Sequence, residues 1–354
     1  EDWMFSMGMI GLKRLLEEDI ELTKSGISFD INVLEKVPKK FFDYMLDEYD
    51  IAKRDFDRMK NNFKFGNRKD RFKQAVRQIR ATMTEQRKKV TRYFKDQPSE
   101  IALKELIEKV RNIKEFDEYG CLEEYIGEYY EIMKSKEINE KLTINYFKTV
   151  IMESFYGQPS FLNVSKSALV LEEQIALFRE DYVKPIFLEA ELQERLQKDQ
   201  EPNVIKEFLE GNREYLPFKQ ILSDIKKKQT AEEIKQYFND YLRCTFIDGQ
   251  LATTNFEEMI FSPLGVTGQA CNFSWDLQKK PPIPLSVLAK LILFLASVGV
   301  VFYNRKDGFE VQGEYRNYAG FVMSAEPFQE IFRMNNNFRI MKKGDNPLDE
   351  IVFK

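Results

Sequence analysis

Histidine is missing from all 354 residues. That removes the commonest general base, the imidazole metal ligands and every catalytic dyad or triad built on a ring nitrogen. Cysteine is scarce: Cys121, Cys244 and Cys271 are odd in number, widely spaced and contain no CxxC pair. Neither a disulfide framework nor a complete zinc site can be assembled from them, and they read as reduced thiols of a cytoplasmic protein. Long apolar runs are also lacking. The longest, Leu285 to Tyr303, is interrupted by Lys290 and carries Ser286, Ser297 and Gly299. A membrane span of about 20 residues tolerates these poorly, so we expect a buried helix running into a strand and no membrane partner. No charged n-region followed by an apolar core opens the chain, so no signal peptide is expected.

What the chain does have is core-forming material and a lopsided charge. Hydrophobic residues make up 43% and aromatics 14%, enough to bury one large domain or two ordinary ones. The net charge is only −4, yet sixteen of the 54 Lys and Arg lie between Lys53 and Lys95 against four acids, Asp55, Asp57, Asp70 and Glu85. That stretch carries +12 and the remainder −16. A cationic segment on an acidic body points to a polyanion, with nucleic acid the first partner to consider.

The hydrophobic periodicity divides the chain. Trp3 to Leu16 has helical spacing, and Ile20 to Leu34 alternates around Gly26 as two short strands joined by a turn. From Pro38 to about Phe238 the period is helical, with breaks at Gly66-Asn67, Gln97-Pro98-Ser99, Gly157-Gln158-Pro159 and Glu201-Pro202-Asn203. Beyond Tyr241 strand-like runs return, two of them around an Asp307-Gly308 turn. We therefore expect a predominantly helical α+β fold with a small mixed or antiparallel sheet built from strands near both chain ends. Residues 1–36 and 241–354 would form the α+β body, and 37–240 a helical insertion containing the basic segment 53–95.

Within that segment Arg68, Lys69, Arg71, Lys73, Arg77 and Arg80 recur at three- and four-residue steps, followed by Arg87 and Lys88, while Phe72, Val76, Ile79 and Met83 mark another face. The excess of like charge is too large for i,i+4 pairing and would destabilise an isolated helix, which favours phosphate contact over a merely solvated face. Such contacts position a nucleic-acid backbone without reading its sequence. A second candidate is the turn FYGQPSFLN, where Gln158, Ser160 and Asn163 carry amides and hydroxyls of the kind that reach base edges. From spacing alone it is a polar helix connection. The acids Glu123, Glu124, Glu128 and Glu131 in EEYIGEYYE have helical spacing, and a metal-dependent enzyme would need them to converge. Acidic helices are more often solvated faces.

Three stretches share a resemblance. WMFSMGMIGLKRLLEE followed by ISFDINVLEKVPKKFFDYML, then FYGQPSFLN, then FSPLGVTGQACNFSWDLQKKPPIPLSVLAKLILFLASVGVVFY occur in the order seen in the large, signature subunit of type I-B CRISPR Cascade effector complexes. The resemblance covers roughly Trp3 to Tyr303, with the connecting helices alike in character only. Many relatives carry paired cysteines flanking the last stretch. Here Cys244 alone remains of the first pair, with Ile247 three residues on, and PLSVLA stands in place of the second. Residues 244–290 are thus expected to form a degenerate zinc-ribbon-like knuckle held by Phe246, Phe256, Phe261 and Trp275, without metal or other cofactor. The resemblance implies a non-catalytic subunit of an RNA-guided surveillance complex. Its partners would be guide (CRISPR) RNA, double-stranded target DNA, the other Cascade subunits and a separate helicase-nuclease, with pairing carrying specificity and protein reading a short flanking motif. A free-standing nucleic-acid-binding or regulatory protein is the alternative.

Overall fold

The computed structural model describes residues 2–152, 159–166, 168–198, 200–255, 284–306 and 315–342. The fold is α+β and predominantly helical. In chain order it comprises α1 (Trp3–Leu16), β1 (Glu21–Leu22), β2 (Ile27–Ser28), α2 (Val37–Glu48), α3 (Ile51–Phe65), α4 (Phe72–Phe94), α5 (Pro98–Asn112), α6 (Cys121–Met133) and α7 (Lys136–Tyr146). There follow α8 (Leu171–Phe178), α9 (Lys184–Gln197), α10 (Pro202–Gly211), α11 (Leu216–Ile225), α12 (Ala231–Tyr241), β3 (Thr254–Asn255), β4 (Pro284–Leu285), α13 (Val287–Phe294), α14 (Ala296–Gly299), β5 (Val301–Lys306), β6 (Tyr315–Gly320) and α15 (Phe328–Lys342). Among the described residues no helix is long and apolar enough to cross a membrane.

Two compact units emerge, one of residues 1–41 and 151–354 and one of Phe42–Val150. The inserted unit is therefore shorter than the 37–240 read from periodicity. The helices after residue 159 share that periodicity, but α9 to α12 pack on one another, and Phe161 and Phe178 find core partners in Phe41 and Phe294. Phe161 and Phe178 stack at 4.1 Å, and Phe41 and Phe294 meet both of them, edge-on or tilted, at 5.3–6.0 Å from one another and from the stack. Edge-to-face aromatic clusters of this kind add to the stabilisation that burial already gives.

Strands lie near both ends, as expected, but they pair locally. β1 joins β2, β3 joins β4 and β5 joins β6, each antiparallel, and among the described residues no ladder links the two ends. Helix packing makes that link instead. α1 is buried along most of its length and crosses α13 and α14 at very short range. A Cβ on Gly8 would stand 1.9 Å from the Ile292 carbonyl oxygen, one on Gly11 2.0 Å from that of Leu295, and one on Gly299 1.8 Å from that of Met7. Only glycine permits backbones to approach this closely. Arg14 then donates to the carbonyls of Val298 and Gly299, both at 2.8 Å, satisfying orphan acceptors at the end of α14.

On α9, Glu189 is buried and accepts from the backbone N–H of Thr253 at 2.9 Å through Oε1 and from that of Val287 at 2.7 Å through Oε2. One carboxyl group thus ties the start of α13 to the residue before β3. The expected knuckle lies largely outside the described residues, including Phe256, Phe261, Cys271 and Trp275, as does the Asp307-Gly308 turn. Phe246 is described and stacks on Phe5 at 5.5 Å.

Candidate nucleic-acid interface

The Phe42–Val150 unit is a helical bundle whose core takes Met59 from α3, Ile79 and Met83 from α4, Leu103 and Val110 from α5, and Leu122 and Tyr129 from α6, all fully buried. Tyr129 donates to the buried Asp55 at 3.2 Å, and Asp55 also accepts from Arg54 at 2.8 Å. Burial, reinforced by Asp55, pushes the Tyr129 hydroxyl well above the ordinary tyrosine range.

On α4 the residues Phe72, Ala75, Val76, Ile79, Met83, Gln86 and Val90 are buried. At about 100° per residue, Lys73, Arg77, Arg80, Thr84 and Lys88 fall within an arc of about 80° on another face, and their span is about 22 Å at 1.5 Å rise. Lys73, Arg77 and Lys88 are exposed and Arg80 half-buried. Among the described residues none of these four cations, nor Lys69, forms an ion pair. Tertiary burial on the opposite face holds the helix, so the like-charge repulsion along the stripe is carried by the bundle core and not relieved locally.

The other predicted cations are engaged. Asp70 lies between Arg68, at 3.3 Å, and Arg71, at 3.7 Å. Arg87 turns to α5, donating to Glu100 through Nε at 3.0 Å and Nη2 at 2.8 Å, and Thr91 Oγ1 donates to the same oxygen at 3.1 Å. The Arg87 hydrogen bond holds the Glu100 carboxyl below the usual carboxylate range.

Ser160 and Asn163 belong to the other unit. Ser160 Oγ donates to Asp181, and Asn163 Oδ1 accepts from the N–H of Ser165 at 3.0 Å and its hydroxyl at 3.1 Å, an Asx turn. Between them Phe161 and Leu162 are buried. Gln158 lies outside the described residues. The acidic helix residues disperse: Glu123 meets Lys60 at 2.6 Å, Glu128 meets Lys109 at 3.0 Å and Glu131 meets Lys134 at 2.6 Å. Among the described residues no group of three or more Cys, Asp or Glu side chains converges as a metal site would require.

One surface feature escaped the sequence reading. Phe65, the last residue of α3, is 42% exposed, and the Arg71 guanidinium lies 4.8 Å from its ring centroid. The signal was present: on a helical projection Phe65 stands about 100° off the buried stripe of Ile51, Ala52, Asp55 and Met59.

Ammonium and guanidinium groups in a row offer donors and positive charge to phosphates. Neither a family model, nor a curated protein, nor a solved structure matches this chain.

Proposed function

We propose that the Phe42–Val150 unit grips nucleic acid by its phosphates through Lys73, Arg77, Arg80 and Lys88, with Arg68, Lys69 and Arg71 extending the surface across the preceding turn. The supporting observation is the row of cations without acidic partners on a well-packed helix. The resemblance of three sequence stretches to the type I-B large subunit supports a wider role as a non-catalytic, cytoplasmic component of a CRISPR surveillance complex. In that role the chain binds guide RNA and target DNA, reads the flanking motif and helps recruit the helicase-nuclease. Gly8, Gly11, Phe41 and Phe42 of the first stretch are core-packing residues here, so that part of the likeness speaks for a shared scaffold.

Two measurements test this. Replacing Lys73, Arg77, Arg80 and Lys88 together by Glu should weaken binding to every duplex and lower the salt slope by up to about 3.6, at about 0.9 per phosphate contact. An unchanged slope removes the stripe from the reading. Expressing the tagged protein with its genomic neighbours and sequencing the co-purifying RNA tests the wider role. Repeat-derived guide RNA in a multi-subunit particle supports it, whereas a lone protein that binds DNA indiscriminately favours the free-standing alternative.

A further inference from the structure

The stripe begins beside a feature that charge does not explain. The turn between α3 and α4 is built tightly: a Cβ on Gly66 would stand 2.0 Å from the Tyr119 hydroxyl oxygen and 2.3 Å from the Ala75 Cβ. Tyr119 stacks on Phe63 at 5.0 Å and donates to the Phe63 carbonyl at 2.8 Å. The end of α3 is therefore fixed against the start of α4 by contacts on the inner side of the turn. Phe65 is excluded from that packing, and among the described residues its one ring contact is the Arg71 guanidinium. A phenylalanine left 42% exposed on a rigid turn, with a cation over its ring and Arg68 and Lys69 beside it, combines an aromatic surface with positive charge. Lys73 follows within one turn of helix.

Aromatic rings paired with cationic side chains are how proteins hold unpaired bases, since every base has a π-face and duplex bases offer none to a surface residue. Resting on the reading that the stripe binds phosphate, we propose that Phe65 and Arg71 form a stacking platform for an unpaired nucleobase, making this surface a single-strand binding site. The strand's phosphates would run along Lys73, Arg77, Arg80 and Lys88 while one base lies on the platform.

The test uses the full chain with a short labelled oligothymidylate and a blunt duplex, read by fluorescence anisotropy across a salt series. Phe65→Ala should weaken oligothymidylate binding at least about fivefold, the low end for one stacked base, and change duplex binding by less than about twofold. Its salt slope should match that of the parent, because no charge is lost. Phe65→Trp should restore binding. Arg71→Lys keeps the charge but loses the planar group, so it too should weaken the single-strand complex at constant slope. Equal losses on both ligands, or no loss on either, overturn the platform. If Phe65→Ala is silent while the four-fold Glu variant abolishes binding, the platform is wrong and the phosphate reading stands. If the parent binds neither ligand, both fail.

Discussion

Glu189 gives the sharpest stability test. Its carboxyl group is buried, and burial pushes its pKa up to about 8 from the ordinary 4.5, although hydrogen bonds from Thr253 and Val287 and the charge of Lys290 pull the other way. In the unfolded chain the group ionises near 4.5, so between these values the folded state holds a proton that the unfolded state has released. Stability from this residue is therefore complete below about pH 4.5 and is lost as pH rises through 8. At 1.36 kcal/mol per pH unit the whole effect is at most about 5 kcal/mol, of which about half falls between pH 5 and pH 7. Thr253 Oγ1 lies 2.6 Å from the Tyr215 hydroxyl and can reverse its hydrogen bonds. It donates to the carboxylate, or accepts from the protonated acid while donating to Tyr215.

Glu189→Gln keeps the shape and cannot ionise. Its amide NH₂ must face one of two backbone donors, a fixed cost of about 1–3 kcal/mol that does not vary with pH. Urea unfolding followed by circular dichroism at pH 5, 6, 7, 8 and 9 should show the parent losing stability relative to the variant as pH rises. The difference isolates Glu189 from every other titrating group. Parallel curves for the two proteins would refute the reasoning.

The remaining expectations concern glycines and the Arg87 pair. Gly8→Ala meets the Ile292 backbone and should cost about 3 kcal/mol or more, whereas Gly127→Ala, inside α6 with nothing within 4 Å of the added methyl, should stabilise by about 0.5–1 kcal/mol in the same unfolding assay. Glu100→Gln removes the partner that holds Arg87 against α5, so the freed guanidinium should raise the salt slope of duplex binding by up to about 0.9.

Much of the fold was legible because it is local. The helical period marked α3 to α12, prolines opened α5 and α10, and Gly26 sat at the turn where Thr23 N–H donates to its carbonyl at 2.9 Å. What was not legible depends on distant partners. The two spaced glycines of α1 show in the sequence, but nothing local says that they meet Ile292 and Leu295. The limits of the compact Phe42–Val150 unit do not show in the helical period for the same reason. Phe178 and Glu189 follow an ordinary helical pattern, and only their contacts with Phe41 and Val287 assign them to the other unit.

The basic segment shows the same division within a single helix. Its composition establishes an excess of cations, while the cations left for a ligand are fixed by acids and rings elsewhere in the bundle. Glu100 on α5 takes Arg87, Glu123 on α6 takes Lys60, and Asp55 with the Tyr146 ring, 4.2 Å away, takes Arg54. The Arg87, Lys60 and Tyr146 contacts join neighbouring helices and belong to the architecture of the unit. Among the cations not so engaged, Lys73, Arg77, Arg80 and Lys88 share one face of α4, with successive members about 4.5–12 Å apart along it. A phosphate backbone presents charge at about 3.4 Å per residue of each duplex strand, so neighbouring cations on the stripe reach successive or alternate phosphates where they are three or four residues apart, and skip further at Lys88. Binding therefore depends on the stripe as a row. Single neutral replacements should each lower the salt slope by at most about 0.9, with Lys73, Arg77 and Arg80, three or four residues apart, coupled to one another and Lys88 acting most independently.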